Sequence, residues 1–259
     1  MAQLLTVEGI SKEFNVRGKK VLALDSLALG MDHGEFVTVV GPSGCGKSTL
    51  LNLVVGLLPP SAGRIVFRGR AVNGINPEIG YVTQKDNLLP WRTLIENVEL
   101  SLEIRGIEKS ARQRRAEELI DRVGLNGFEE HYPHELSGGM RQRANIIRTL
   151  IYDPELILMD EPFGPLDAQT RIVLQDQLLK LWSANRKTIL FITHDLIEAI
   201  TLADRVIVMT SRPGRVKHIA AVPIPRPRDV YQIHTSREFQ EVYERLWREL
   251  RPEVIMTEV

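Results

Sequence analysis

The chain has 259 residues, 43% hydrophobic and 25% charged, a balance that folds rather than stays disordered. Lys plus Arg and Asp plus Glu both number 33, so the formal net charge is zero. That lacks the basic excess of most nucleic-acid binders, and no nucleic-acid partner is expected.

The opening MAQLLTVEGISKEF has no basic stretch followed by an apolar core, so no secretory signal is expected. No apolar run reaches the roughly eighteen residues of a membrane-spanning helix. Residues 4–14 and 21–31 alternate apolar and polar, as antiparallel strands at a domain edge would. Phe36–Val40 (FVTVV) reads as a buried strand. Leu50–Leu58 is apolar at helical spacing until Pro59 and Pro60. Short strands are expected at Arg64–Phe67 and Ile79–Val82.

From about Asn87 the pattern becomes helical. Thr93 is a plausible N-cap, with Glu96 three residues on, for a helix to Ile104. Glu108–Val123 forms a second, highly charged helix. Its basic run, Arg112 to Arg115, sits among glutamates and reads as a solvated face. Ser137 caps a third helix, with Met140, Ala144, Ile147 and Ile151 on one face. Residues of about 87–153 are therefore expected as a helical insertion.

Apolar runs then return at Leu156–Met159, Thr188–Thr193 and Arg205–Met209. Helices at Asp167–Trp182 and Asp195–Ala203 separate them. Apolar runs alternating with helices predict an α/β core with a mainly parallel sheet. A proline-rich link leads to a closing helix with Phe239, Tyr243, Leu246 and Leu250 on one face. The division expected is a main domain over 1–215 and a C-terminal appendage over 216–259.

The stretch that carries most chemistry is Gly41–Thr49, GPSGCGKST. It fits G-x-x-x-x-G-K-[ST] between a strand and a helix, the setting of a phosphate-binding loop. Gly41, Pro42, Ser43, Gly44, Cys45, Gly46, Lys47, Ser48 and Thr49 are the expected nucleotide contacts. Glycines let successive N–H groups converge on one anion, and the helix dipole adds to that field. Lys47 is expected at the β- and γ-phosphates and the Ser48 hydroxyl on Mg²⁺. Cys45 is the one cysteine, so it has no internal disulfide partner, which suits a reducing compartment. Its place near a helix N-terminus favours a thiolate, beside the plainer reading that Cys45 contributes only its backbone N–H. Bulky thiol reagents are then expected to block nucleotide binding, with ATP protecting.

Asp160 and Glu161 follow the strand Leu156–Met159. Asp160 is expected to hold Mg²⁺, and Glu161 to act as general base on the attacking water. His194 lies past another strand, where it can contact the γ-phosphate and hold the water or Glu161. Gln84 occupies a comparable strand end, and its amide oxygen can ligate Mg²⁺ or orient water. Ser137, Gly138 and Gly139 open a helix with free N–H groups, a second phosphate-binding candidate. They fall in the helical insertion, away from the first loop. His131 and His134 lack companions at metal-ligand spacing.

Taken together, these motifs resemble those of ABC transporter ATPase subunits. GPSGCGKST resembles the Walker A motif, Gln84 the Q-loop and LSGGM the signature. LILMDE resembles Walker B, Leu166-Asp167 the D-loop and His194 the switch histidine. The order agrees over about residues 4–215. LLPWRT, LSGGMRQR and EPFGPLDAQTR resemble in particular the nitrate, sulfonate and taurine importer subfamily. Met140 in place of glutamine, and Gly164-Pro165 in place of Ser-Ala, are mild departures.

The resemblance implies a P-loop α/β core with an antiparallel edge subdomain and an inserted helical subdomain. It implies that ATP is hydrolysed with Mg²⁺ and that Phe14 stacks on adenine. Asp167 lies at the shared nucleotide site. It also implies a head-to-tail homodimer in which ATP lies between Walker A of one copy and Ser137, Gly138 and Gly139 of the other. The remaining expected partners are an external solute-binding protein and transmembrane permease subunits, for which Asn87–Arg92 is the candidate contact, an internal subdomain contact being the alternative for that stretch. The expected location is the cytoplasmic face of the inner membrane. A soluble ABC ATPase in cofactor assembly is the alternative reading.

Overall fold

A computed structural model describes residues 3–255, apart from the side chains of 184 and 185. Residues 1–2 and 256–259, the outer ends of the two expected segments, lie outside the described residues.

The first two strands, β1 (Leu5–Val16) and β2 (Lys19–Met31), form a long antiparallel pair. With β4 (Ala62–Phe67) and β5 (Arg70–Ala71) they make a four-stranded sheet in the order β2-β1-β4-β5. The larger sheet has the order β10-β9-β3-β8-β7-β6. Its members are β3 (Phe36–Val40), β6 (Ile79–Val82), β7 (Leu156–Asp160), β8 (Thr188–Ile192), β9 (Arg205–Met209) and β10 (Val216–Ala221). All pairings are parallel except that of β10 with β9.

Every residue of β3, β7 and β8 is buried. This is why those strands read as largely apolar runs: both faces are covered. Their side chains feed different cores. Leu156 and Leu158 join Val37, Val39, Leu190 and Ile192 in the core between the two sheets. Ile157 and Met159 face the other way, with Phe36, Phe191 and Trp182. The helix α1 (Lys47–Val54) fills the space between the sheets through Leu50, Leu51, Leu53 and Val54. Each such burial stabilises by about 1.5–3 kcal/mol.

The helix after the phosphate loop was expected to reach Leu58, but α1 ends at Val54. Gly56 adopts φ +82°, and a β-carbon there would lie 1.8 Å from the Gly74 carbonyl oxygen. Close backbone packing stops the helix before the prolines do.

The helical region comprises α2 (Leu94–Ile104), α3 (Lys109–Arg122) and α4 (Gly138–Leu150). It has its own core, built from Leu94, Val98, Leu102, Ala116, Ile120, Ala144 and Ile147. Its starts are local decisions. Thr93 and Glu96 form a reciprocal capping box at α2, Glu108 accepts from Ala111 N–H at α3, and Ser137 from Met140 N–H at α4. Such caps stabilise a helix by roughly 1 kcal/mol each. Asp167 and Asp195 cap α5 (Ala168–Asn185) and α6 (Leu196–Leu202) in the same way.

The strand β10 was not anticipated. It carries residues 216–221 into the large sheet as an edge strand beside β9. Beyond it, α7 (Arg237–Ile255) lays Phe239, Val242, Leu246 and Leu250 on the core face shared by α5 and α6.

Candidate functional site

The parallel strands bring their C-terminal ends to one edge of the sheet, where open α/β sheets hold ligands. The phosphate loop leaves β3 there, and Asp160 is the last residue of β7. Glu161 follows at once, His194 lies two residues beyond β8, and Gln84 two beyond β6.

The loop conformation rests on glycine. Gly44 and Gly46 adopt φ of +73° and +106°. Gly46 is the N-cap of α1, and no side chain caps the helix. The leading N–H groups of α1 therefore remain available to a ligand. Lys47 is buried, and its ammonium donates to the carbonyls of Gly41 (2.9 Å) and Pro42 (3.0 Å). Its Nζ is 3.9 Å from Glu161 Oε1.

Ser48 Oγ donates to Asp160 Oδ1 at 3.1 Å. Burial raises the Asp160 carboxyl above the ordinary range, and the Ser48 hydrogen bond opposes that rise. Tyr81, whose hydroxyl donates to Asn52 Oδ1, also neighbours this carboxyl, and burial raises its phenol. Glu161 holds a left-handed backbone, φ +42°, uncommon outside glycine and a marker of local strain. Its Oε2 lies 3.0 Å from His194 Nδ1.

A cavity of about 440 Å³ gathers Ser43, Gly44, Gly46, Lys47, Ser48, Thr49, Gln84, Asp160 and Glu161. One wall is apolar: Phe14, Val16, Val21 and Ala23. Phe14 and Val21 face each other across the β1–β2 pair. Gly41, Pro42 and Cys45 lie behind the loop, buried.

Cys45 corrects an expectation. It is 1% exposed, and burial pushes its thiol above the ordinary value, outweighing the nearby Lys47. Burial thus works against the thiolate that the helix N-terminus favours.

Ser137, Gly138 and Gly139 do not line this cavity. Ser137 is exposed, its hydroxyl engaged as the cap of α4. Gly138 lines a neighbouring cavity with Gln84, Asp86, Arg141 and Leu166. A β-carbon on Gly139 would lie 2.8 Å from Thr170 of α5. Asp167 is exposed and accepts from Thr170 N–H and Oγ1, bonds that lower its carboxyl. Gln84 thus lines both cavities, while the signature glycines and the phosphate loop stay apart.

The segment after Gln84 is tied to α4. Arg141 pairs with Asp86 at 3.0 Å, and Arg148 donates to the carbonyls of Asp86 and Asn87 at 2.9 Å each. Buried Asn97 holds the next turn through Leu89 and Arg92. Leu88 is buried, but Trp91 is 70% exposed.

Sequence reasoning missed Arg212. It follows β9, the strand beside β3, and lines the first cavity. Its guanidinium donates to the Gly44 carbonyl at 3.0 Å. The available signal was its position: a cation just beyond a buried strand that ends at the same sheet edge.

A sequence profile described as ABC transporter matches residues 24–164. The chain is 48% identical over 251 residues to an uncharacterized ABC transporter ATP-binding protein of Methanocaldococcus jannaschii, covering 97% of this chain and 92% of that one. It is 48% identical to the taurine import ATP-binding protein TauB of Rhizobium johnstonii, covering 82% of each. The aliphatic sulfonates import ATP-binding protein SsuB of Bacillus cereus is 40% identical, covering 92% of each. Among solved structures, a dimeric ATP-binding cassette in a post-hydrolysis state with ADP and Pi superposes with a TM-score of 0.76 at 32% identity. That match covers 85% of this chain and 100% of the other. With a glycine-shaped phosphate loop, a strand-end acidic pair and cassette relatives along nearly its whole length, the chain belongs to the ABC transporter family, as an ATP-binding, ATP-hydrolysing subunit.

Proposed function

We propose that this ATPase works as a head-to-tail pair on a separate permease and drives uptake of a small solute such as taurine, an alkanesulfonate or nitrate. The observation that carries the reading is the segregation of the site. Lys47, Ser48, Asp160, Glu161 and His194 converge, whereas Ser137–Gly139 lie outside their cavity. A second copy supplies the missing wall, and the dimeric cassette of similar fold supports this.

The donor set fits Mg²⁺. Ser48 Oγ and Asp160 Oδ1 are adjacent hard oxygens, and Gln84 lines the same cavity. When bound, the ion neutralises phosphate charge. Lys47 exchanges its carbonyl partners for phosphate oxygens, and the α1 N–H groups bind the chain of phosphates. Glu161 takes a proton from water as the water oxygen attacks the γ-phosphorus and the bond to ADP breaks. His194 orients the Glu161 carboxylate for that transfer. Phe14 packs against the adenine face.

Among the described residues no helix is long and apolar enough to cross a membrane. The reading therefore places the chain at the membrane through its permease. Exposed Trp91, on a turn fixed by Asn97, is the proposed contact. The solute comes from the names of the import relatives, and an external binding protein delivers it. The test is reconstitution with the permease and binding protein in liposomes. ATP-dependent accumulation of labelled taurine or alkanesulfonate supports the reading. A complex that hydrolyses ATP and takes up neither these nor nitrate refutes the substrate class. Failure of Trp91→Ala to weaken permease binding refutes the contact.

A further inference from the structure

Residues 211–215, between β9 and β10, touch three separate parts of the molecule. Ser211 N–H donates to Glu253 Oε2 of α7 at 2.8 Å. Arg212 donates to the Gly44 carbonyl of the phosphate loop at 3.0 Å. Gly214 N–H donates to Ala23 O at 2.9 Å, and Asp25 N–H donates back to Gly214 O at 3.1 Å. Arg215 pairs with Asp25. The segment thus joins the C-terminal helix, the phosphate loop and the strand that supplies the apolar wall of the nucleotide cavity.

The junction is tightly fitted. A β-carbon on Gly214 would lie 2.1 Å from the Cys45 carbonyl oxygen, so only glycine brings the two loops this close. Glu253 is buried, and its Oε1 also accepts from Lys217 Nζ at 2.8 Å. Lys217 in turn donates to the Glu249 carbonyl at 2.8 Å. The last turns of α7 are therefore pinned to both ends of the 211–217 stretch.

Arg212 is exposed and lines the cavity that Phe14 and Lys47 line. A guanidinium carries five N–H donors in a fixed fork. Among the described residues its hydrogen-bond partner is the Gly44 carbonyl, which leaves donors for an anion beside the loop. We propose that Arg212 is a further nucleotide-binding residue, adding a second cation beside the polyphosphate, and that Glu253 is the positioning residue that presents it. This rests on the assignment of the cavity to ATP. The C-terminal helix then bears on nucleotide affinity without touching nucleotide.

Arg212 bonds the phosphate loop at Gly44, whereas Glu161 bonds His194, so the Arg212 interaction is expected to strengthen ground state and transition state alike. Its loss appears in binding rather than in turnover.

The experiment uses the full chain, equilibrium ATP titration and steady-state hydrolysis. Arg212→Ala is expected to raise the Kd and KM for ATP roughly 5- to 30-fold, the effect of one partly exposed charge-assisted hydrogen bond, with kcat changed less than about two-fold. Arg212→Lys restores most of the affinity. Glu253→Ala shifts Kd in the same direction, and adds nothing to Arg212→Ala because the two act through one contact. Glu253→Gln keeps an acceptor for Ser211 N–H and stays near wild type.

An unchanged Kd in Arg212→Ala overturns the proposal, as does a loss confined to kcat. Additive effects of the two alanine variants, or equal losses from Glu253→Gln and Glu253→Ala, overturn the positioning role. Arg212 is a surface side chain, so its variants decide the nucleotide contact even where Glu253→Ala does not fold. Wild-type protein that neither binds nor hydrolyses ATP refutes the ATP assignment itself. Active wild type with an indistinguishable Arg212→Ala refutes this inference alone.

Discussion

Glu161 and His194 meet at 3.0 Å, Oε2 to Nδ1, across the ends of two neighbouring parallel strands. The other carboxylate oxygen of Glu161 lies 3.9 Å from Lys47 Nζ, so one side chain links the ends of β7 and β8 to the phosphate loop. The left-handed backbone at Glu161, with its N–H donating to Ile192 O at 3.0 Å, sets that direction. A carboxylate held by a histidine on one side and a lysine on the other is oriented before any water arrives.

Glu161→Gln preserves shape and removes the proton acceptor. It is expected to lower kcat by about 10²- to 10⁴-fold, the usual share of a general base, while ATP still binds. The ATP-bound pair should accumulate, visible as dimer on size exclusion with ATP. Near-normal hydrolysis by this variant excludes Glu161 as the base.

Ser137→Arg tests the shared site. Ser137 is exposed and outside the phosphate-loop cavity, so a bulky cation there leaves ATP binding by the single chain intact. Hydrolysis should fall to background, because the face offered to a partner copy is blocked. Loss of ATP binding by the monomer contradicts assignment of this segment to the partner's site.

The phosphate loop, the acidic pair and His194 were legible because each follows a largely apolar run. Parallel strands align such runs and bring their ends to one edge. The helical caps at Thr93 and Ser137 were legible because capping is local in sequence. Arg212 was not, since its partner Gly44 lies 168 residues away and no spacing rule links them. The strand β10 was missed because VKHIAA is an edge strand with mixed burial, weakly patterned beside proline-rich sequence. Cys45 misled for another reason. The dipole at a helix start is visible in sequence, but the burial that outweighs it comes from packing against distant residues.

Glu198 carries a pH dependence. Burial raises its carboxyl to about 7, while hydrogen bonds from Thr193 and Gln175 partly oppose this. Asp195 adds to the rise and Arg171 counters it. A carboxyl raised in the folded state binds its proton more tightly there than when unfolded. Its stabilisation is full below about pH 4.5 and is lost as pH rises through about 7. Glu198→Gln keeps an acceptor for Gln175 Nε2 and removes the titration. Chemical denaturation should show the variant gaining on wild type between pH 5 and 8, by at most about 3 kcal/mol. A constant difference across that range contradicts the assignment.

Arg228 closes the C-terminal end of α6. It is 9% exposed, and its Nη1 donates to the carbonyls of Ile200, Thr201 and Ala203 at 3.0, 3.1 and 2.7 Å. Nε and Nη2 also reach the Ile224 carbonyl. These acceptors include the orphan carbonyls at the negative end of the helix. Burial lowers the guanidinium pKa to about 10, yet it stays charged at neutral pH. Arg228→Met should destabilise the fold by roughly 2–4 kcal/mol in urea denaturation, through carbonyls left without donors. Arg228→Lys should recover only part of this, because one ammonium lacks the planar reach of the fork. A loss below about 0.5 kcal/mol, the scale of an ordinary surface substitution, contradicts the capping role.

Cys45 gives the last test, with the opposite outcome from that expected of a thiolate. Its sulfur lies 2.9 Å from the position a β-carbon on Gly41 would take, and the side chain is 1% exposed beneath the loop. Attack on an alkylating reagent needs both the thiolate and an approach path. Burial lowers the thiolate fraction and closes the path. N-ethylmaleimide should therefore label the native chain at least about ten-fold more slowly than the urea-unfolded chain, since reaction waits on local opening. ATP should slow it further only so far as it stabilises the closed loop. Labelling of the native protein at the unfolded rate shows that the loop opens freely and that burial does not govern the thiol.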